Sequence, residues 1–322
     1  MKLTIQKIKQ RFAGGDEPIS AHRLRKLKSD PRLGAKKIYD LLRKRCESDR
    51  RERRRIACML RLERTLWCSG VSRVAGVDEA GVGPLAGPVI AAAVVFPPGT
   101  EVLGIDDSKR LDPDDRVRLA DRVRAAAAGI GIGGATVDEI DSLNIYRASL
   151  LAMRRAIEAL PLAPQHVLFD ARLLPDLPVF QNSFHNGDRL IFSVAAASII
   201  AKVHRDRLMA ELDGRFPGYG LARHKGYATA EHQKAIRLLG PSPIHRRSFL
   251  HDLCGEFSPL FYAFKSRMAQ AASALALSEV EAEIRTSWTS LGEKERRKLR
   301  SLLLRRRQFL GRAIRIRESP FS

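Results

Sequence analysis

Short β-rich runs alternate with helical stretches in the middle of the chain, and this alternation limits the possible folds more than any other feature. The runs are VAGVDE, VIAAAVVF, GIGIGGATV and HVLFD, and DDRVRLADRVRAAAA and YRASLLAMRRAIEAL lie between them. Such a pattern is typical of α/β domains, in which helices cover a sheet. We predict an α/β fold with a mixed β-sheet. Further helices are expected at SVAAASIIAKVHRDRLMAELDGRF and at Ala230–Leu239.

The segment before this region is basic and has the spacing of helices. IYDLLRKRCESDRRERRRIACMLRLERTLW carries apolar residues at helix-like intervals without Gly or Pro. We predict two or three helices, with breaks at Gly14-Gly15 and at Asp30-Pro31. The segment after it contains SEVEAEIRTSW and an Arg-rich amphipathic pattern that ends at Gly311 and, later, Pro320. The predicted parts are a basic helical N-terminal extension (1–70), a central domain (71–255) and a basic helical C-terminal extension (256–322).

The net charge of +21 lies almost entirely in the two extensions. Residues 1–70 contribute +13 and residues 256–322 contribute +7, which leaves the central domain close to neutral. An excess of this size usually indicates a polyanionic partner. Two interpretations stay open for the extensions: solvated helix faces with disorder, or surfaces that grip nucleic acid through its phosphates.

The cysteines and the apolar runs indicate a cytoplasmic protein. Cys46, Cys58, Cys68 and Cys254 form no CxxC pair, which argues against a zinc ribbon or a disulfide framework. The longest apolar run, residues 89–96, is far shorter than the roughly 20 residues that span a bilayer. No stretch has the pattern of a signal peptide. We therefore expect reduced thiols, no membrane association and a monomer.

Carboxylates occur where the predicted strands or their loops end. Asp78 and Glu79 close the first run and are followed by the Gly- and Pro-rich segment AGVGPLAGP. Adjacent strand residues face opposite ways, so both can serve one site only if the strand ends or twists at Glu79. Oxygen ligands at one end of a sheet suit Mg²⁺ or Mn²⁺. Taken singly, each Asp is more often a cap or a turn residue. The other candidates are Asp106, Asp107, Asp170 and Asp188.

Six motifs, in order, resemble the ribonuclease HII family. They are DEAGVGPLAGPV, DSKRL, FDA, GD followed by AAASIIAKVHRD, HKGYAT and LGPSPIHRRSF, and they cover residues 74–252. TIQKIKQRF near the N-terminus also resembles the helical extension of some bacterial members. The resemblance implies a ribonuclease H-like fold, with 71–255 as the catalytic domain.

The resemblance also implies the metal ligands. Asp78, Glu79, Asp170 and Asp188 match the family's catalytic carboxylates and would hold Mn²⁺ or Mg²⁺, with Asp78 shared between two ions. Asp206, within the HRD triplet of a predicted helix, is interpreted instead as an ion-pairing structural residue.

The resemblance assigns substrate contacts as well. Lys109 would contact phosphate near the scissile bond. Gly81, Val82 and Gly83 would read the ribose 2′-hydroxyl at an RNA-to-DNA junction, a group that distinguishes RNA from DNA. Tyr227 would stack on the next deoxyribose. His224 and Lys225 either contact phosphate or stabilise their loop.

Two positions depart from the family pattern. Val82 replaces the usual arginine at the centre of the glycine turn, and FDA replaces VDG. If backbone amides read the hydroxyl, junction recognition survives the valine. If the arginine charge matters, phosphate affinity falls by roughly 1–3 kcal/mol.

The implied function is an endoribonuclease that acts on RNA–DNA hybrids and on duplex DNA with embedded ribonucleotides. It would cut 5′ to the ribonucleotide by two-metal hydrolysis and leave 5′-phosphate and 3′-hydroxyl ends. One alternative is a ribonuclease HIII-like nuclease for hybrids only. The other is a non-catalytic binder of hybrids or RNA, which predicts a broken carboxylate set.

Overall fold

The computed structural model describes residues 21–250 and 258–317, and these form two units. Unit 1 holds the described part of Met1–Asp78 with Ala91–Ile132 and Met153–Ala201. Unit 2 holds Glu79–Ile90, Gly133–Ala152 and the described part of Lys202–Ser322. The predicted break at Gly14-Gly15 and the side chain of Cys254 lie outside the described residues.

Five strands and thirteen α-helices are present in the described part of the chain. The strands are β1 (Val74–Ala80), β2 (Val89–Val95), β3 (Gly129–Ala135), β4 (His166–Asp170) and β5 (Phe180–Phe184). The first helices are α1 (Ala21–Lys28), α2 (Leu33–Met59), α3 (Arg61–Cys68), α4 (Pro113–Ala126), α5 (Val137–Leu143), α6 (Ile145–Glu158) and α7 (Gly187–Leu190). The remaining helices are α8 (Phe192–Arg215), α9 (Leu221–His224), α10 (Ala230–Leu239), α11 (Pro259–Gln270), α12 (Ala274–Thr286) and α13 (Glu293–Arg317).

The strands form one mixed sheet in the order β3-β2-β1-β4-β5, which confirms the predicted α/β class. β1 is central and pairs in parallel with β4, and β4 pairs in parallel with β5. Every residue of β2 is buried, as its unbroken apolar sequence predicts for a strand covered on both faces. Parallel neighbours bring their carboxyl ends to the same edge of a sheet, so β1 and β4 end together.

A buried carboxylate joins helix α3 to helix α8 within unit 1. Glu63 of α3 is 1% exposed, and its Oε1 accepts hydrogen bonds of 2.9 Å from both the amide and the hydroxyl of Ser193, at the start of α8. Burial raises the pKa of Glu63. Glycine at position 76 is needed in the same region, because a Cβ there would lie 2.1 Å from the Ser193 carbonyl carbon.

The C-terminal helices α11, α12 and α13 share a core of their own, which we call the C-terminal module. Its buried residues come from the three helices and the segments between them, and they are Phe261, Phe264, Met268, Ala271, Leu277, Val280, Ile284, Leu291, Leu299, Leu303 and Leu310. Ser258 and Ser273 cap the first two helices by accepting hydrogen bonds from Phe261 and Ala276 amides. The predicted helical tail is therefore confirmed, but the helix end at Gly311 is wrong, since α13 continues to Arg317.

Most predicted elements are present, with a few differences. The four β-rich runs form β1 to β4, the chain breaks between α1 and α2 around Asp30-Pro31, and α10 has the predicted bounds. The sequence pattern did not predict β5, α5, α7, α9 or α11, nor the helix break at Leu60.

Candidate active site

The candidate carboxylates of unit 1 lie at the carboxyl ends of the two central strands. Val77 of β1 is in register with Phe169 of β4, so Asp78 and Asp170 take the next position along the neighbouring strands. Asp78 is buried and Asp170 is half-buried. β1 continues past Glu79 and ends at Ala80, one residue later than a strand end at Glu79 would require. Glu79 belongs to unit 2 and is half-buried.

Asp188 is held beside Asp170 by the backbone before it. The Gly187 amide donates a 2.7 Å hydrogen bond to Asp170 Oδ1. A Cβ at Gly187 would lie 3.2 Å from the Phe169 carbonyl oxygen, a tight approach that favours glycine in the GD motif. Asp188 follows in α7 and is 4% exposed.

Lys109 supplies a positive charge to this cluster. Its Nζ lies 3.5 Å from Asp188 Oδ2, and its side chain is otherwise exposed. Burial raises the pKa of Asp188, the charges of Asp107 and Asp170 raise it further, and Lys109 partly offsets them. Partial burial lowers the pKa of Lys109, but the charges of Asp188, Asp107 and Asp78 outweigh it, so this pKa lies above its ordinary value.

Asp107, a carboxylate without an assigned role in the sequence analysis, orients the Lys109 segment. It is 1% exposed and its Oδ1 accepts a 2.9 Å hydrogen bond from the Lys109 amide. Its Oδ2 accepts two hydrogen bonds of 3.1 Å from the Arg189 guanidinium. Burial alone would raise the pKa of Asp107, but these partners hold it below its usual value. Asp107 is therefore an ionised anchor between the DSK and GDR segments.

The unit 1 cluster has the chemistry of a site for hard divalent cations. Across the described residues, no three His, Cys, Asp or Glu side chains already converge into a ready metal cage. However, Asp78, Asp170 and Asp188 offer only carboxylate oxygens, the donors that Mg²⁺ and Mn²⁺ prefer. The pKa of Asp188 is raised first by burial and then by the negative charges of Asp107 and Asp170, so like charges lie near it. A divalent cation bound by these carboxylates would offset their mutual repulsion, so the chemistry of the residues fits such an ion.

The glycine turn of unit 2 depends on Gly81. Its φ is +96°, a left-handed conformation that L side chains rarely adopt. A Cβ at Gly81 would also lie 2.0 Å from Arg205 Nε. Gly83 differs, because a Cβ there would meet nothing within 4 Å. Val82 lies between them and is half-buried.

Two fully buried arginines hold the backbone of this turn. Arg246 donates from Nε to the Gly87 carbonyl at 2.9 Å, from Nη1 to Val82 at 2.9 Å and from Nη2 to Gly81 at 2.6 Å. Burial lowers the pKa of Arg246 to about 9, which still leaves the guanidinium charged at neutral pH.

Arg205 also donates hydrogen bonds to the backbone of this turn. It donates to the carbonyls of Pro88, Ala86 and Lys225 at 3.0–3.1 Å. Five carbonyls between Gly81 and Pro88 thus accept hydrogen bonds from the two arginines. Arg205 also joins the turn to the HKGY loop through the Lys225 carbonyl.

The HKGY loop presents Tyr227 to solvent. Lys225 and Gly226 both have positive φ, and a Cβ at Gly226 would lie 2.6 Å from the Ala86 carbonyl oxygen. The Gly226 carbonyl accepts a 2.8 Å hydrogen bond from the Leu85 amide, so this loop and the glycine turn are bonded to each other. Tyr227 is 43% exposed, and Lys202 Nζ lies 5.7 Å from the centre of its ring. Lys202 also pairs with Asp206 at 2.7 Å, which confirms the ion-pairing prediction for Asp206.

Three buried histidines support this loop. His232 Nδ1 donates to the Tyr227 carbonyl at 2.9 Å, and its Nε2 accepts from His245 Nε2 at 3.0 Å. His245 Nδ1 accepts from the Ser242 amide at 3.0 Å. His224 Nε2 donates to the Tyr219 carbonyl at 2.7 Å, and its Nδ1 accepts from Gly226. These hydrogen bonds fix the orientation of each ring, and His224 stabilises its loop.

The sequence motifs did not single out Arg205, Arg246 or His232, and they gave Asp107 only as a candidate metal ligand, although all four hold parts of the site in place. Both arginines lie inside quoted motifs, KVHRD and IHRRS, but an arginine in a helix or a turn is usually exposed. A signal does exist: Arg205 lies one helical turn from the apolar residues Ala201 and Met209.

Together the mixed sheet and the carboxylates at its central strand ends define an α/β protein of the ribonuclease H-like class. A family model described as Ribonuclease HII matches residues 75–251, and one described as Ribonuclease HII N-terminal domain matches residues 4–67. The chain belongs to the ribonuclease HII family, and it is a nuclease of the ribonuclease H type.

Two curated relatives agree with this assignment. The chain is 49% identical over 248 residues to Ribonuclease HII of Anaeromyxobacter sp. (strain Fw109-5), covering 77% of this chain and 79% of that protein. It is 48% identical over 250 residues to Ribonuclease HII of Myxococcus xanthus (strain DK1622), covering 77% and 85%. The ribonuclease H2 crystal structure from Pyrococcus horikoshii OT3 covers 55% of this chain and 93% of its own, with a TM-score of 0.46 and 27% identity. No helix within 21–250 and 258–317 is long and apolar enough to cross a membrane.

Proposed function

We propose that this protein cuts the RNA strand of RNA–DNA hybrids and cuts 5′ to ribonucleotides embedded in duplex DNA. The observation that carries the proposal is the carboxylate cluster of Asp78, Asp170 and Asp188 with Lys109 beside it. An uninterrupted carboxylate set, completed in sequence by Glu79, argues against a non-catalytic binder.

The proposed mechanism is in-line hydrolysis supported by two divalent cations, Mn²⁺ or Mg²⁺. Asp78, Glu79, Asp170 and Asp188 would hold the ions, which supply an activated water and stabilise the leaving oxygen. The Lys109 side chain is exposed, so its ammonium group can contact a phosphate beside Asp188. Asp107 fixes the backbone from which Lys109 extends. Water attack on phosphorus with departure of the 3′-oxygen gives 5′-phosphate and 3′-hydroxyl ends.

Junction recognition is assigned to the backbone of the glycine turn together with Tyr227. The turn carbonyls of Gly81 and Val82 are engaged by Arg246, which fixes the peptide planes and hence the directions of the amides. Rigid amides can hydrogen-bond a ribose 2′-hydroxyl without an arginine side chain at position 82. Tyr227 offers an exposed ring on a loop bonded to the turn. We therefore expect preference for an RNA-to-DNA junction to survive with valine.

The test is cleavage of three duplexes with Mg²⁺ or Mn²⁺: one with a single ribonucleotide, one all-hybrid and one plain DNA. Wild type should cut 5′ to the lone ribonucleotide, and Asp78→Asn should abolish this. Val82→Arg is the matched probe of the turn and should raise phosphate affinity without creating the activity. Cutting of the long hybrid alone would reject the junction reading in favour of a hybrid-only nuclease, and no cutting with either metal would reject the catalytic proposal.

A further inference from the structure

A groove between α11 and α13 in the C-terminal module has both an aromatic wall and a cationic rim. It has a volume of about 310 Å³ and lies outside residues 75–251, which the catalytic family model matches. Its lining consists of Lys265, Met268, Ala269, Leu302, Arg305, Arg306 and Phe309. The four α13 positions recur at helical spacing, so one face of the helix forms a continuous wall.

The apolar part of the groove is unusually open to solvent. Phe309 is 60% exposed although it lies among Met268 and Leu302. The Arg306 guanidinium lies 5.0 Å from the centre of the Phe309 ring, and its Nη2 donates to the Ala271 carbonyl at 3.0 Å. This anchoring holds Arg306 against one side of an exposed aromatic ring.

The cations of the groove differ from other cations of the module. Arg267, Arg297 and Arg307 are each paired with a glutamate of the module. Among the described residues, by contrast, no carboxylate lies within ion-pair distance of Lys265, Arg305 or Arg306. Lys265, Arg305 and Arg306 therefore place unpaired positive charge beside an exposed aromatic ring. This arrangement suits an anion that carries an attached aromatic face.

We propose that this groove binds an unpaired nucleotide of single-stranded nucleic acid, with its base against Phe309 and its phosphates at Lys265 and Arg305. Stacking on an aromatic ring beside cations that follow the backbone is the general chemistry of sequence-independent single-strand binding. A nucleotide joins a flat apolar base to an anionic phosphodiester, and so it matches both halves of the groove. The site goes beyond the proposed cleavage, because it needs neither the carboxylate cluster nor a ribonucleotide.

The test is binding of fluorescent oligothymidylate to the full-length protein, followed by anisotropy across a range of salt concentrations. Phe309→Ala should weaken binding by roughly 5- to 100-fold. Leu304→Ala is the matched control, because Leu304 has the same 60% exposure on the same helix but does not line the groove. Replacing Lys265 and Arg305 by alanine should reduce the log–log salt slope by about 1.4, the value for two phosphates. Arg297→Ala, which removes a paired cation, should change the slope much less.

Cleavage of a blunt duplex with one ribonucleotide is measured in parallel, so that the two proposals fail separately. Retained cleavage in Phe309→Ala together with weakened oligothymidylate binding supports the groove site. Equal oligothymidylate affinity for Phe309→Ala and Leu304→Ala overturns it, whatever the cleavage assay gives. It is also overturned if an acidic, aromatic-containing peptide requires Phe309 while oligothymidylate does not, because the groove would then serve a protein partner.

Discussion

Replacing Arg246 tests the idea that a buried guanidinium shapes the glycine turn. The side chain is fully buried and donates to three carbonyls, those of Gly81, Val82 and Gly87. Hydrogen bonds to charged groups contribute about 1.5–3 kcal/mol each. The desolvation cost of the guanidinium offsets part of that sum, and removal of one partner of a buried charged network typically costs about 3–5 kcal/mol.

For Arg246→Met we therefore expect a loss of about 3–4 kcal/mol in the free energy of unfolding, measured by urea denaturation. Arg246→Lys keeps the charge but cannot reach three carbonyls at once, so a loss of about 2 kcal/mol is expected. Arg247→Met is the matched control, because the neighbouring arginine is exposed, and it should change stability by less than about 0.5 kcal/mol.

The same variants should affect recognition more than chemistry. A loosened turn misdirects its amides, so Arg246→Lys should lower kcat/KM for the single-ribonucleotide duplex by roughly tenfold, about 1.4 kcal/mol. The long hybrid, which offers many ribose positions, should lose less. Destabilisation of Arg246→Met by under about 1 kcal/mol, or equal losses on both substrates, would refute the reasoning that the guanidinium organises this turn.

Three other changes have outcomes set by the structure. Gly81→Ala should cost at least about 1–3 kcal/mol of stability by thermal melting, because of its φ of +96° and the approach to Arg205, whereas Gly83→Ala should be close to neutral. Burial lowers the pKa of His245 to about 4, so as the pH falls the unfolded chain takes up a proton at this histidine before the folded protein does. The free energy of unfolding should therefore fall by up to roughly 3 kcal/mol between about pH 6.5 and pH 4. His245→Asn should show a smaller loss over the same range. Asp107→Asn should reduce kcat for cleavage by about tenfold, because Lys109 would be misplaced. Substrate affinity, measured by anisotropy, should fall less than kcat. An unchanged kcat would contradict the positioning role of Asp107.

The sequence predicted the elements whose apolar pattern is strong. β2 and α10 follow directly from an unbroken apolar run and a capped amphipathic stretch. β5 was missed because FQNSF is largely exposed at the sheet edge and lacks a buried alternation. Gly311 does not end α13, because glycine lowers helix propensity by only about 1 kcal/mol and the pattern continues beyond it.

The candidate site was predictable only in part, for a physical reason. Motifs identify residues that carry charge at strand ends, and the structure brings Asp78, Asp170, Asp188 and Lys109 into one unit. The arginines that shape the glycine turn act through long-range contacts. Arg246 meets Gly81 across 165 positions in sequence, and no local pattern indicates such a partner.

The hydrogen bond between Glu63 and Ser193 limits where the N-terminal helices could be replaced by those of another protein. Because Glu63 accepts the amide at the start of α8, it acts as a helix cap supplied from 130 positions away. If a foreign N-terminal arm replaced the chain through α3, Glu63 would be lost and the Ser193 amide would have no acceptor, at a cost of about 1–3 kcal/mol. A junction upstream of Glu63 keeps this bond, whereas a foreign arm that replaces Glu63 removes it.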